Sequence, residues 1–167
     1  MEASRLKSDA ARFWCSALFS VAETMAKETS WNDATETCIG VVRKKLKEEA
    51  KKIVETQKIK GTDASATKRV FETLTQSPLA GWKIEDAGST KDRTILHQVG
   101  DCPMWEACKE LAIQDNLLPF RICETGCTGA VQAINPDLIV IIEKAICKND
   151  KYCEFAIEAI KPVSLLY

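Results

Sequence analysis

The hydrophobic period of this chain changes once, near Gly81. Before it, apolar residues recur at steps of three and four; after it come short alternating or continuous runs, so the first half must be helical and the second must hold a sheet. From Ala3 to about Glu28, Leu6, Phe13, Trp14, Leu18, Val21 and Met25 mark one amphipathic helix. Ser30 to Asp33 offers capping side chains for a second helix, which runs to about Lys58 with Cys38, Val42, Leu46, Ala50 and Ile53 on its apolar stripe. Its other face mixes lysines with Glu48 and Glu49, a pattern that i,i+4 pairing holds in solvent. Gly61 ends that helix. Thr62 or Asp63 can cap a third, carrying Val70, Phe71 and Leu74, before Ser77-Pro78 stops it.

Beyond Gly81, Trp82–Asp86 and Thr94–Val99 alternate on either side of a Gly88-Ser89 turn and read as a hairpin. Cys102-Pro103 opens a helix that runs through Trp105 to Leu111, with proline in its favoured first turn. Pro119 starts another, which should end near Asn135-Pro136 because the residue before proline is pushed out of the helical region. Leu138 to Cys147 is apolar on both alternations, so Leu138 to Ile142 is expected to be an interior strand, and Tyr152 to Ile160 returns from a polar turn to complete a second hairpin. The expected fold is α+β: N-terminal helices and a roughly four-stranded antiparallel sheet made of two hairpins, covered by helices. A length of 167 residues suits one domain, with a helical half over 1–79 and a hairpin–helix–helix–hairpin half over 80–161.

At 46% hydrophobic and 28% charged residues the composition is that of a globular chain and excludes a disordered or collagen-like one. A net charge of -1 gives no electrostatic reason for a nucleic acid partner. Lys7, Asp9 and Arg12 interrupt the first apolar residues, so no signal-peptide core forms. No apolar run reaches the roughly 18 residues that would span a bilayer, so no membrane partner is expected and the expected location is cytoplasmic. In a reducing compartment the eight cysteines should be thiols, metal ligands or a nucleophile rather than disulfides.

Cys15, Cys38 and Cys108 lie on helix stripes and read as buried thiols that pack as small hydrophobes. Cys102 stands at a helix mouth, where free amides and the dipole favour a thiolate. Cys123, Cys127, Cys147 and Cys153 together could give zinc a four-sulfur shell, although their Cys-x3-Cys and Cys-x5-Cys spacings differ from the Cys-x2-Cys knuckles of zinc ribbons. A nucleophile would need a base. His97 is the sole imidazole of the chain, and Glu143, at the end of an apolar strand, could act as acid or base if buried.

Cys102-Pro103-x-Trp105, Cys123, Asn135-Pro136 and the ending Glu143-x3-Cys147-x5-Cys153-Glu154-Phe155 resemble the C-terminal half of the L-2-amino-thiazoline-4-carboxylic acid hydrolase family. They resemble, more loosely, the 4-vinyl-reductase domain, a small-molecule-binding module that shares a fold with transport-particle subunits. The resemblance covers about residues 80 to 160. It implies a helix-covered antiparallel sheet enclosing a small ligand. In phenol-sensing relatives of the 4-vinyl-reductase domain, cysteines and a glutamate hold zinc; the cysteines would fall on Cys123, Cys147 and Cys153, while Lys144 stands in the place of the glutamate, with Glu143 one residue away. The hydrolase pattern carries an aspartate shortly after its central cysteine, where this chain has Gly126-Cys127.

Two functional expectations follow, from different classes. One is a small-molecule pocket with Trp105, Cys123 and Cys127 in its wall, and hydrolytic opening of a thiazoline-like C–N bond by Cys123 or Cys102 as nucleophile. The other is a non-catalytic sensor or carrier that binds a ligand or zinc through structural cysteines. A homodimer formed through the first helices is a third expectation. The final hairpin should bring Cys147 or Cys153 close to Cys123.

Overall fold

The computed structural model describes residues 2–75, 83–90, 92–114 and 117–160, with the side chains of residues 2–5 excepted. Its elements in chain order are helices α1 (Glu2–Glu28), α2 (Trp31–Gln57) and α3 (Ala64–Thr75), strands β1 (Lys83–Asp86) and β2 (Arg93–Val99), helices α4 (Pro103–Glu110) and α5 (Leu118–Val131), and strands β3 (Leu138–Lys144) and β4 (Glu154–Ala159). A single 3-10 turn, Ile146–Lys148, joins the last two strands. The fold is α+β with one four-stranded antiparallel sheet made of two hairpins. Gly81, Trp82 and the Ser77-Pro78 stop lie outside the described residues.

Local chemistry sets the helix ends where the side chains offer it. Ser30 Oγ accepts the Asp33 amide at 3.1 Å and starts α2. Lys58, in the left-handed region at φ 50°, ends α2 and turns its amide back to Val54 and Glu55. Asp63 Oδ1 accepts the Ala66 amide at 2.9 Å and starts α3. α5 stops at Val131, four residues before Asn135: the Gln132 amide still bonds four residues back, to Thr128, but those of Ala133 and Ile134 bond only three back, to Ala130 and Val131. Asn135 Nδ2 donates to the Thr62 carbonyl at 2.9 Å, and its Oδ1 accepts the Asp137 amide at 2.9 Å, so one side chain ties the exit of α5 to the loop before α3.

The strand order is β1-β2-β4-β3. β3 is therefore an edge strand, which corrects the interior position expected from its apolar run. Its apolar residues have another cause: Leu138 and Val140 face the helices, while Ile139 and Ile141 sit half-buried beside fully buried Ala156 on the outer face. Cys147 lies in the 3-10 turn, beyond the end of β3.

α5 is the central helix. On one side Cys127 and Val131 pack into the sheet core with Leu96, Phe155 and Ile157; on the other, Gly126 and Gly129 let α2 approach closely. A Cβ on Gly129 would lie 2.6 Å from Arg43 Cγ and 2.9 Å from the Arg43 carbonyl oxygen. α3 lies over the same sheet face, with Phe71 and Phe155 rings 5.6 Å apart. α1 covers α2 and α4 through a second core that includes Phe19, Cys38, Cys108 and Leu118.

Candidate functional site

The helices of the first half do not close completely over α5. Between α1, α2, α3 and α5 lies a cavity of about 250 Å³ with a largely apolar wall. Leu18 from α1, Val42 and Leu46 from α2, Leu74 from α3 and Ile122 and Cys127 from α5 form much of that wall. Trp14 and Val41, 56% and 61% exposed, stand at its mouth. Among the described residues Lys45 is the one charged member of the lining; its ammonium pairs with Glu49 at 3.1 Å, so the stem follows the wall while the charge stays in solvent.

A second, smaller cavity of about 20 Å³ lies at the N-terminal end of α5, between the start of α4 and the turn after β3. Cys102, Cys123, Cys147 and Cys153 line it, together with Trp105 and Phe120. Met104 and Cys123 belong to both cavities and form their common wall. With Cys15 and Cys127 in the larger space, six of the eight cysteines border one cavity or the other. Cys38 and Cys108 are packed in the second core, as their helix-stripe positions imply.

The titrations of Cys15, Cys102, Cys123, Cys147 and Cys153 are all raised, with loss of solvent a cause in each. Cys123 hydrogen-bonds to Cys127, and this contact with burial pushes its titration well above that of a free thiol. Burial, with the proximity of Cys123 adding to it, raises Cys15 to about 12. Burial likewise raises Cys153 to about 12, and it raises Cys147. Cys102 does sit at the mouth of α4, but burial dominates there and raises its titration despite amide contacts from Trp105 and Met104. At Cys102 the loss of solvent around the sulfur thus opposes the thiolate that the helix mouth favours.

The expected acid–base partners lie elsewhere. β2 places Thr94, Leu96 and Gln98 toward the helices, so His97 falls on the outer face, where its Nε2 meets Glu154 Oε2 and its ring packs 4.5 Å from that of Tyr152. Glu143, the extra residue at an irregularity between Ile142 and Lys144, pairs with Arg93, which also pairs with Glu158 at 3.0 Å. Lys144 joins the outer cluster too, 2.7 Å from Tyr152 and 3.3 Å from Glu154. Burial opposes ionisation of Glu154, but bonds from His97 and Lys144 outweigh it and lower its titration. The sheet thus separates His97 and Glu143 from Cys123, and the nucleophile–base set expected from the sequence is not assembled.

The structure gathers Cys123, Cys147 and Cys153 around one small space, yet it does not assemble a metal shell. Among the described residues no three His, Cys, Asp or Glu side chains are placed to share an ion. Cys127 faces the larger cavity on the other side of Cys123, and Cys153 Sγ accepts the Ile146 amide at 3.4 Å. The four-sulfur zinc site of Cys123, Cys127, Cys147 and Cys153 therefore does not fit this geometry. Sequence reasoning placed Trp105 and Cys127 in one wall, whereas they border different cavities. It passed over Met104, Lys45 and the α1–α2 face of the larger cavity, because apolar stripes do not reveal where helices stay apart.

No protein-family model matches this chain, and no curated protein matches it. Among solved structures it is similar to a trafficking protein particle complex subunit 3 from Naegleria fowleri, determined covalently bound to palmitic acid. The TM-score is 0.58 at 10% identity, over 90% of this chain and 95% of that one. At that identity the likeness is one of fold. Among the described residues, no helix is long and apolar enough to cross a membrane.

Proposed function

We propose that this chain is a non-catalytic small-molecule-binding domain that holds a linear aliphatic chain, with a carboxylate or similar head, between α1, α2, α3 and α5. The observation that carries the reading is the cavity itself: about 250 Å³, largely apolar, and bordered among the described residues by one charge, that of Lys45. That volume falls just under the roughly 300 Å³ at which pockets begin to take drug-sized ligands, so it suits a slender molecule. An anionic head at the mouth would compete with Glu49 for Lys45, while each buried methylene contributes about 0.8 kcal/mol. The palmitic acid on the structurally similar subunit supports the choice of ligand class.

This reading follows the ligand-binding side of the resemblance, that of the 4-vinyl-reductase domain. Hydrolytic opening of a thiazoline ring needs a thiolate with a base beside it. Here the contact with Cys127 and burial favour the neutral form of Cys123, and His97 and Glu143 lie across the sheet. Zinc has no part in the proposed function.

Protein stripped of endogenous lipid and titrated with decanoate should give saturable one-to-one binding by calorimetry, with a change in tryptophan fluorescence from Trp14. Leu74→Trp, which fills the cavity, should abolish that binding while the folded near-ultraviolet signal persists. Absence of saturable binding in the parent protein would overturn the reading. Ring opening of a 2-aminothiazoline carboxylate, lost in Cys123→Ser, would restore the hydrolase in its place.

A further inference from the structure

We infer that the small thiol-lined cavity receives the terminal carbons of the bound chain, which pass between Met104 and Cys123, so that this partition gauges chain length. The inference rests on the binding reading above and adds the residues that set its selectivity. Met104 and Cys123 are the two described residues common to both walls, so their side chains stand between the two spaces. A thioether with several rotatable bonds and a small thiol are the side chains that yield most readily to a slender tail.

The smaller space measures about 20 Å³. Since roughly 10–15 Å³ on this scale admits one water-sized group, it takes one or two carbons and no more. Its chemistry suits a methyl terminus better than water. Cys102, Cys147 and Cys153 border it as neutral thiols, and neutral thiols offer water only weak partners. Phe120, Ile142 and Ala145 complete its lining, so a chain that outgrows this small space meets side chains packed around it and leaves more of its length at the mouth. The crowding of cysteines around Cys123 then has a physical reason: a cysteine is a small, polarizable wall residue that leaves room where leucine or isoleucine would fill it.

The test is a calorimetric series of saturated carboxylates from hexanoate to palmitate on the full chain, with Met104→Ala and Cys147→Leu beside the parent. Affinity should rise about fourfold per added carbon up to a break, then level off. Met104→Ala should move the break one or two carbons longer, and Cys147→Leu should move it shorter. Cys147→Val serves the second purpose if the leucine variant does not fold, and near-ultraviolet circular dichroism identifies the folded variants. A break at the same length in all folded proteins, or a rise that continues unbroken to palmitate, overturns the inference and leaves the binding reading standing. Failure of the parent to bind any member of the series overturns both.

Discussion

Thr128 on α5 occupies the free edge of β3 at Val140: its Oγ1 lies 3.1 Å from the Val140 amide, which donates to it, and 3.4 Å from the Val140 carbonyl, to which the hydroxyl donates. One side chain thus satisfies both backbone groups that an edge strand leaves open, in place of a fifth strand. It also fixes the height of α5 over the sheet, and with it the position of Cys127, the adjacent residue, and of Cys123, about one-and-a-half turns back along the same helix.

Thr128→Val keeps the shape and removes both bonds. Val140 is buried, so its amide would lose a partner without gaining water, at a cost of about 1–3 kcal/mol. Thermal or denaturant unfolding should show that loss, and hydrogen exchange should show the Val140 amide changing from slow to fast. Unaltered exchange at Val140 would mean the hydroxyl does not protect the edge.

The two glycines of α5 make a sharper pair. At Gly129 an added Cβ meets Arg43 backbone, which can yield only if α2 and α5 separate, so Gly129→Ala should destabilise by about 1–3 kcal/mol as an overpacked contact. At Gly126 the obstacles are Leu46 Cδ1 at 2.9 Å and Val42 Cγ1 at 3.1 Å, side-chain ends that can rotate. The better helix propensity of alanine, about 1 kcal/mol, should offset much of that crowding. Because Leu46 and Val42 also line the larger cavity, the effect of Gly126→Ala should fall on ligand affinity. Equal unfolding midpoints for the two variants would contradict this assignment.

The same residues mark where the sequence was legible. Helical periods and the capping segments Ser30–Asp33 and Thr62-Asp63 placed α2 and α3, and alternation placed β1, β2 and β4, because those signals are local. The run Leu138 to Ile142 misled because its apolar character has two sources that sequence cannot separate, burial under α5 on one face and a half-buried strip beside Ala156 on the other. The grouping of Cys123 with Cys147 and Cys153 followed from the short link between α5 and the last hairpin, whereas Cys102 joins them in place of the expected Cys127. Their protonation state did not follow, since it depends on how much solvent the packing removes. The side of the sheet that His97 takes was not legible for a simpler reason: a shift of one residue along β2 decides which face a side chain occupies.

The last prediction concerns the reactivity of Cys123. Alkylation requires the thiolate, and the contact with Cys127 together with burial holds the Cys123 titration well above that of an ordinary thiol, so little thiolate exists near neutral pH. Labelling by iodoacetamide, followed at the Cys123 peptide by mass spectrometry, should therefore be slower at pH 7 than for an exposed cysteine and should climb only as pH rises well past 8.5. Removing the contact has a definite sign. Cys127→Ala deletes the hydrogen bond that favours the protonated form, so the titration of Cys123 should fall and the whole pH–rate profile should shift to lower pH. A saturating aliphatic carboxylate should slow labelling in both proteins, because Cys123 borders the proposed binding space on both sides. Rapid labelling of Cys123 at pH 6 in the parent would reveal a stable thiolate and would return the nucleophile to consideration.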